Sequence, residues 1–299
     1  MVFSLLGCGR TTGPMEALNN SVALSDATPN DTTVTEVTAS RDPSDDSVAI
    51  LSAFFGLDDA LPRLSDRAIC EGAAGMDGMP IVLSHEIDID TMQAGDFRVV
   101  THSGTIGDIT CVTPAPADDP GEARTILIVG QYGSASDEPA RVEVVGNVLS
   151  KDHRVNFRGT QASVIPLEEG PTLTLAEVVP QEAWDLGSPA TQVPFGGGDG
   201  CPVGTVQVVR AVWAGGVTKP GGAEIDDQER LKYRVTLRGT DGEENDIVPF
   251  AIGDLGDGDN NHELCLDQDG EPSGVHFPAG WVTDPREDLN PSTRVPVAR

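Results

Sequence analysis

Residues 124–150 read RTILIVGQYGSASDEPARVEVVGNVLS, two short runs of Val, Ile and Leu separated by a cluster of Gly, Ser, Asp and Pro. Branched aliphatic residues suit a pleated, half-buried surface, and clusters of that composition reverse the chain. The same succession of run and break recurs upstream in MPIVLSHEID and DFRVVT and downstream in TLTLAEVV, GTVQVVRAVWAGG and RLKYRVTLRGTDGEENDIVPFAI. No amphipathic segments of helix length alternate with these runs, which argues against a βαβ sheet and predicts an all-β protein built as a sandwich. Asp241 and Gly242, between two runs, predict a hairpin turn. One apolar stretch, SVAILSAFFGLDDALPRL at residues 47–64, is compatible with either a short buried helix or a buried strand.

Composition divides the 299 residues into four parts. Residues 1–45 are rich in Thr, Ser, Asn, Asp and Pro after the first few and lack the apolar surface to offset ordering, so they predict a disordered tether. Residues 46–184 carry the first strand block, 185–200 form a Gly- and Pro-rich linker, and 201–299 carry a second β-rich unit. Nothing approaches the length of a transmembrane helix. Lys+Arg 19 against Asp+Glu 48 gives a formal charge of -29. Such a chain is repelled by phosphate backbones, which excludes nucleic acid as a partner, and attracts cations.

Two local motifs resemble known families. Leu5, Leu6, Gly7 and Cys8 resemble a bacterial lipobox, which implies acylation of Cys8 and anchoring in a membrane. Only seven residues precede Cys8, so the resemblance implies that more of the leader lies upstream. Gly9, where an Asp would be associated with inner-membrane retention, implies the outer membrane or cell surface. Residues 80–104, PIVLSHEIDIDTMQAGDFRVVTHSG, resemble the opening of bacterial Ig-like domains of the S-layer type. Ile81, Leu83, Ser84, Ile87, Asp88, Thr91, Met92, Phe97 and Val99 carry that resemblance, with Leu83 in place of the usual aromatic. It implies a sandwich of seven or eight strands with a structural, adhesive or ligand-presenting role. Within it, Asp90 is placed to cap a turn over residues 91–94 before Gly95 releases the chain into the next strand.

Cysteine usage agrees with export. Besides Cys8 there are Cys70, Cys111, Cys201 and Cys265, in no zinc-like spacing, which in an oxidising compartment predicts two disulfides. Of the three possible pairings, Cys70 with Cys111 and Cys201 with Cys265 confines each bridge to one half of the chain.

The densest acidic stretch is DLGDGDNNHELCLDQDG at residues 254–270, six carboxylates and two asparagines around a short apolar run. Calcium takes six to eight oxygens from carboxylates, amides and backbone carbonyls, and interspersed glycines let a chain curl around it. Asp254, Asp257, Asp259, Asn261, Asp267 and Asp269 are therefore the candidate calcium ligands. The spacing is not that of an EF-hand, since His262 falls where the invariant glycine belongs. A solvated acidic loop and a catalytic divalent site are the alternatives. Residues 276–291 repeat the pattern of an apolar stretch followed by Asp284, Glu287, Asp288 and Asn290.

Catalytic signatures are lacking: the five histidines form no HExxH, and there is no GxSxG elbow. Trp184, Trp213, Trp281, Tyr132 and Tyr233 suit a sugar platform or, in so aromatic-poor a chain, a core. The sequence thus predicts a membrane-anchored, exported lipoprotein, calcium-stabilised and without catalytic activity, that serves as envelope structure or binds an envelope protein or polysaccharide. The alternative is an exported metal-dependent hydrolase. A concave pocket with converging carboxylates of raised pKa would favour the enzyme, and a convex acidic loop the binder.

Overall fold

The computed structural model describes residues 48–189, 198–256 and 258–298. Cys8, the predicted tether at 1–45 and part of the predicted linker lie outside them, as does Asp257.

Seven strands make the first module. They are β1 (Ile50–Ala53), β2 (Asp77–Leu83), β3 (Phe97–Thr101), β4 (Asp108–Thr113), β5 (Thr125–Gln131), β6 (Pro139–Val144) and β7 (Gln161–Ser163). Their sheet orders are β1-β2-β5-β4 and β3-β6-β7. In chain order this is the A-B-E-D sheet facing the C-F-G sheet of a constant-type immunoglobulin fold. Ile81, Leu83, Ile126 and Ile128 of one sheet and Val99, Val142 and Val144 of the other share one buried core. The ambiguous stretch at 47–64 resolves as strand β1, followed by a four-residue helix α1 (Ser65–Ala68).

The second module repeats that plan. Its strands are β8 (Leu173–Val179), β9 (Gln207–Trp213), β10 (Arg234–Arg238), β11 (Glu244–Ile247), β12 (Ala251–Gly253), β13 (Asn261–Leu266), β14 (Glu271–Phe277) and β15 (Thr293–Ala298). They hydrogen-bond in the order β11-β10-β14-β15-β8-β9-β13-β12. The last four are again A-B-E-D, and the first four add one strand to C-F-G. A parallel β15–β8 pair fuses the two halves into one sheet. The corresponding junction in the first module is a single parallel bridge, Phe54 to Ile165. The predicted Asp241-Gly242 turn joins β10 to β11, with Gly242 at φ 84.

Smaller features repeat too. Asp88 accepts from Asp90 N and starts a short 3-10 helix at Ile89–Thr91; Asp226 accepts from Gln228 N and starts helix α2 (Asp227–Arg230). The cap in the first module is therefore Asp88, two residues before Asp90, because the chain tightens at once into 3-10 geometry. Each cap leads to an aromatic-Arg-Val strand start, Phe97-Arg98-Val99 and Tyr233-Arg234-Val235. Each F–G connection holds a left-handed residue three positions before an Asn: His153 (φ 57) before Asn156, and Glu287 (φ 71) before Asn290. In the second of these turns Asp284 Oδ1 accepts from the backbone of Arg286 and Asp288.

Both disulfides form with the neighbour pairing, Cys70–Cys111 and Cys201–Cys265. In each module the bridge ties the A–B connection to a strand of the A-B-E-D sheet. Loops of 41 and 64 residues are closed, worth about 4 kcal/mol each in the chain-entropy model. The modules change between Ser163 and Leu173, not at 185–200. Residues 185–200 belong to the second module's A–B connection, and their Gly and Pro content marks a long loop inside it.

The second core centres on three aromatics. Trp213 meets Phe277 edge-on at 5.2 Å, and Tyr233 lies 4.6 Å from Phe277, centroid to centroid. Trp213 Nε1 donates to Tyr233 Oη at 2.8 Å, and Tyr233 Oη lies 2.7 Å from His262 Nδ1. Burial holds the His262 imidazole down at about 3, so it is neutral and accepts the tyrosine proton. Tyr132, Trp213 and Tyr233 are core residues, and Lys232 Nζ sits 3.5 Å over the Trp281 ring, so these aromatics make no shared sugar platform. Tyr233→Phe leaves the Trp213 N–H and the His262 nitrogen unpaired, at a cost of about 1–3 kcal/mol, to be read as a lower urea midpoint at unchanged slope.

Candidate functional site

Strand β13 is buried along its whole length, although alternate residues face away from its own core. Leu264 and Leu266 enter the core; Glu263 and Cys265 point to the other side. That outer side is covered by the disulfide patch of Cys201, Val179 and Val208 and, beside it, by the first module.

Around Arg210 the contact with the first module is electrostatic. Register places Glu177 of β8 and Glu263 of β13 on either side of Arg210 of β9. Arg210 Nη2 lies 3.2 Å from Glu263 Oε1, and Nη1 lies 3.7 Å from Glu177 Oε1. From the first module, the loop between β4 and β5 delivers the Gly121 carbonyl to Arg210 Nη1 at 2.7 Å. Glu177 also takes a bond at 2.7 Å from Arg124, the residue before β5. The approach requires Gly121: its φ is +96, and a Cβ there would stand 2.6 Å from Arg210 Nη1.

The next residue, Glu122, is 1 % exposed. Its Oε2 accepts from Asp119 N, while Oε1 is buried with no donor. Glu122 lies within hydrogen-bonding reach of the Asp254 side chain, whose Oδ2 is likewise buried without a donor. Burial first, then the negative charges of Asp259 and Asp254, push the Glu122 carboxyl up to about 12 against the pull of Arg210. Burial also raises Glu263 and Asp119, with Asp254 adding to both. For Arg210, burial is outweighed by Glu122, Glu263, Glu177 and Asp254, so the guanidinium is held charged.

These groups line a concave cleft of about 400 Å³ between the modules, walled on one side by Trp184 and by the chain at 198–200. Trp184 donates its Nε1 proton to the Val179 carbonyl at 2.8 Å, which fixes the ring. Gly198 packs against the acidic loop so closely that a Cβ would stand 2.3 Å from Leu255 N.

The described members of the predicted calcium set, Asp254, Asp259, Asn261, Asp267 and Asp269, do not share one focus. Asp254 lies in the cleft, at φ 63. Asp259 is buried and committed to Asn261, accepting from its backbone N at 2.8 Å and its Nδ2 at 2.6 Å. Asp267 and Asp269 are exposed beyond the far end of β13, about 20 Å away along a six-residue strand. A strand separates the two groups because the apolar run between them crosses the whole sheet. Elsewhere among the described residues, Asp58, Asp59 and Asp77 bring one ligand atom each within 4.8 Å of one another. There both Asp77 oxygens already accept backbone N–H groups, from Asp59 and Tyr132, as the anchor of a turn.

Glu122, Arg210 and Glu263, which line the cleft, are not among the residues the sequence singles out. For Arg210 and Glu263 the signal is a lone charge inside an apolar strand, QVVRAVW and NHELCL, whereas Glu122 lies in a loop and has none.

The sequence matches no known protein family and no curated protein. Among solved structures, the N-terminal part of the bacterial S-layer protein SbsC is similar at 9% identity, over 84% of this chain and 44% of that one, with a TM-score of 0.27. The chain thus spans under half the length of that structure, and a superposition of that quality carries no weight for function.

Two outcomes test the site. Arg210→Met leaves buried carboxylates without their counter-charge and lowers unfolding free energy by about 3–5 kcal/mol in denaturant titration. Glu122 has a folded pKa above its unfolded 4.5. The stability it contributes is complete below pH 4.5 and is lost as pH rises toward the folded value. In chelator, Glu122→Gln therefore melts above the parent at pH 8, and the gap closes near pH 4; a gap independent of pH contradicts the assignment.

Proposed function

We propose that this chain is an exported, surface-anchored lipoprotein whose two Ig-like modules form a non-catalytic structural or ligand-presenting element of the cell envelope. The observation that carries the reading is the repeated Ig-like module. Each copy is stapled by its own disulfide, and the two are joined by the buried Arg210 network. Two sandwiches locked in this way keep a fixed spacing, which suits a stalk or an adhesive arm. Disulfides belong to oxidising compartments, and a charge of -29 keeps an exposed surface soluble. Cys8 would supply the membrane contact through acyl chains, and the partner would be a polysaccharide or protein of the envelope.

One observation favours a hydrolase as the second reading: the cleft is concave and burial raises the pKa of its Glu122, Glu263 and Asp119 carboxyl groups. Against it, Glu122 and Asp254 lie within hydrogen-bonding reach of each other. A retaining glycosidase pair stands about 5–5.5 Å apart and an inverting pair wider, so no glycosidic bond or attacking water fits between them.

Expression of the chain behind its natural leader with an alkyne-tagged fatty acid tests the anchor. The parent protein incorporates label and stays with the membrane, whereas Cys8→Ser loses both; equal behaviour of the two removes the lipoprotein reading. Cleavage of an envelope polymer by the parent, abolished in Asp254→Asn, would move the assignment to the hydrolase.

A further inference from the structure

Glu122 Oε1 and Asp254 Oδ2, on side chains within hydrogen-bonding reach of each other, pose a chemical problem. Each is buried and neither has a donor. Two carboxylates in such contact need something positive between them, and the nearest cation does not serve. Arg210 spends its Nη groups on Glu177, Glu263 and the carbonyls of Pro120 and Gly121, and its Nε, though buried and unpaired, hydrogen-bonds to neither orphaned oxygen. Asp119, Asp185 and Asp199 add further negative charge around the same cleft. The pair also sits at a junction, since Glu122 belongs to the first module and Asp254 directly follows β12 of the second.

We propose that a divalent cation binds between Glu122 Oε1 and Asp254 Oδ2, with water and cleft oxygens completing its shell, and clamps the two modules together. The site takes one residue, Asp254, from the predicted acidic loop and its other carboxylate from a position 132 residues earlier in the chain. Its two-carboxylate, partly hydrated character fits a weak site of the kind found in extracellular modules, which bind calcium at about 0.1–1 mM. An ion there replaces both the missing donor and the proton that Glu122 would otherwise have to keep. Asp259, close enough to bear on Glu122, adds to the attraction without offering an oxygen, because Asn261 occupies its carboxylate. The clamp does not require acylation of Cys8, so failure of either proposal leaves the other intact.

The test uses the disulfide-intact chain, with Ca²⁺ followed by calorimetry and Tb³⁺ by luminescence sensitised through Trp184, which lines the cleft. The parent binds with saturation in the range of about 0.1–1 mM, and both Glu122→Gln and Asp254→Asn weaken binding at least tenfold. Asp254→Asn guards against misfolding, since Asn tolerates the left-handed backbone found at that position. Melting gives a second readout: in chelator at pH 8 Glu122→Gln is the more stable, and in about 10 mM Ca²⁺ the order reverses in favour of the parent. Undiminished binding in both variants would place the ion elsewhere, with Asp58, Asp59 and Asp77 as its holders, and would overturn the proposal. Absence of saturable binding to the parent would also overturn it, leaving a shared proton between the two carboxyl groups.

Discussion

Arg210 is the constraint around which the two modules are arranged. A guanidinium 6 % exposed in the middle of a sheet is tolerable only if its neighbours supply oxygens, and the neighbours come from both modules. Cross-strand register fixes Glu177 and Glu263 beside it, and the β4–β5 loop of the first module adds the Pro120 and Gly121 carbonyls. Glu122 then has to follow Gly121 into the contact. The buried carboxyl, the raised affinity for a proton and the donor-free oxygens opposite Asp254 are all consequences of covering one arginine. Burying a charged group in this way brings specificity of orientation more than stability.

Repetition of one module explains most of the rest. In both copies the A–B connection is pinned by a disulfide, an Asp starts a helical turn ahead of strand C, and a left-handed residue turns the chain between F and G. Both halves thus close their sandwiches by the same local devices while differing in length. The longer A–B connection of the second copy is what reaches the acidic loop and walls the cleft, with Asp199 O accepting from Asp254 N.

Much of this was legible in the sequence, and the reasons are local. Short β-branched runs between turn residues gave the fold class, and paired cysteines in each half gave the bridges. The opening of the first sandwich, from Ile81 to Val99, carried its Ig-like character. Gly and Pro at 185–200 report a loop and do not say whether it joins two domains or two strands. The repeat escaped notice because its landmarks are single residues: Ile87-Asp88 against Ile225-Asp226, and Asn156 against Asn290. The acidic loop stands out by its density, but Asp267 and Asp269 project from the far end of β13. The cleft itself was out of reach, since Arg210 and Gly121 meet across 89 positions and no local pattern encodes such a pairing.

The central claim is that ion pairs lock the two modules across their boundary, most directly Arg124 of the first with Glu177 of the second at 2.7 Å. A double-mutant cycle of Arg124→Met and Glu177→Gln, measured by denaturant unfolding in chelator at pH 8, isolates that term. The predicted coupling is about 0.5–3 kcal/mol; strictly additive effects would mean that the two modules merely touch, and would contradict the account.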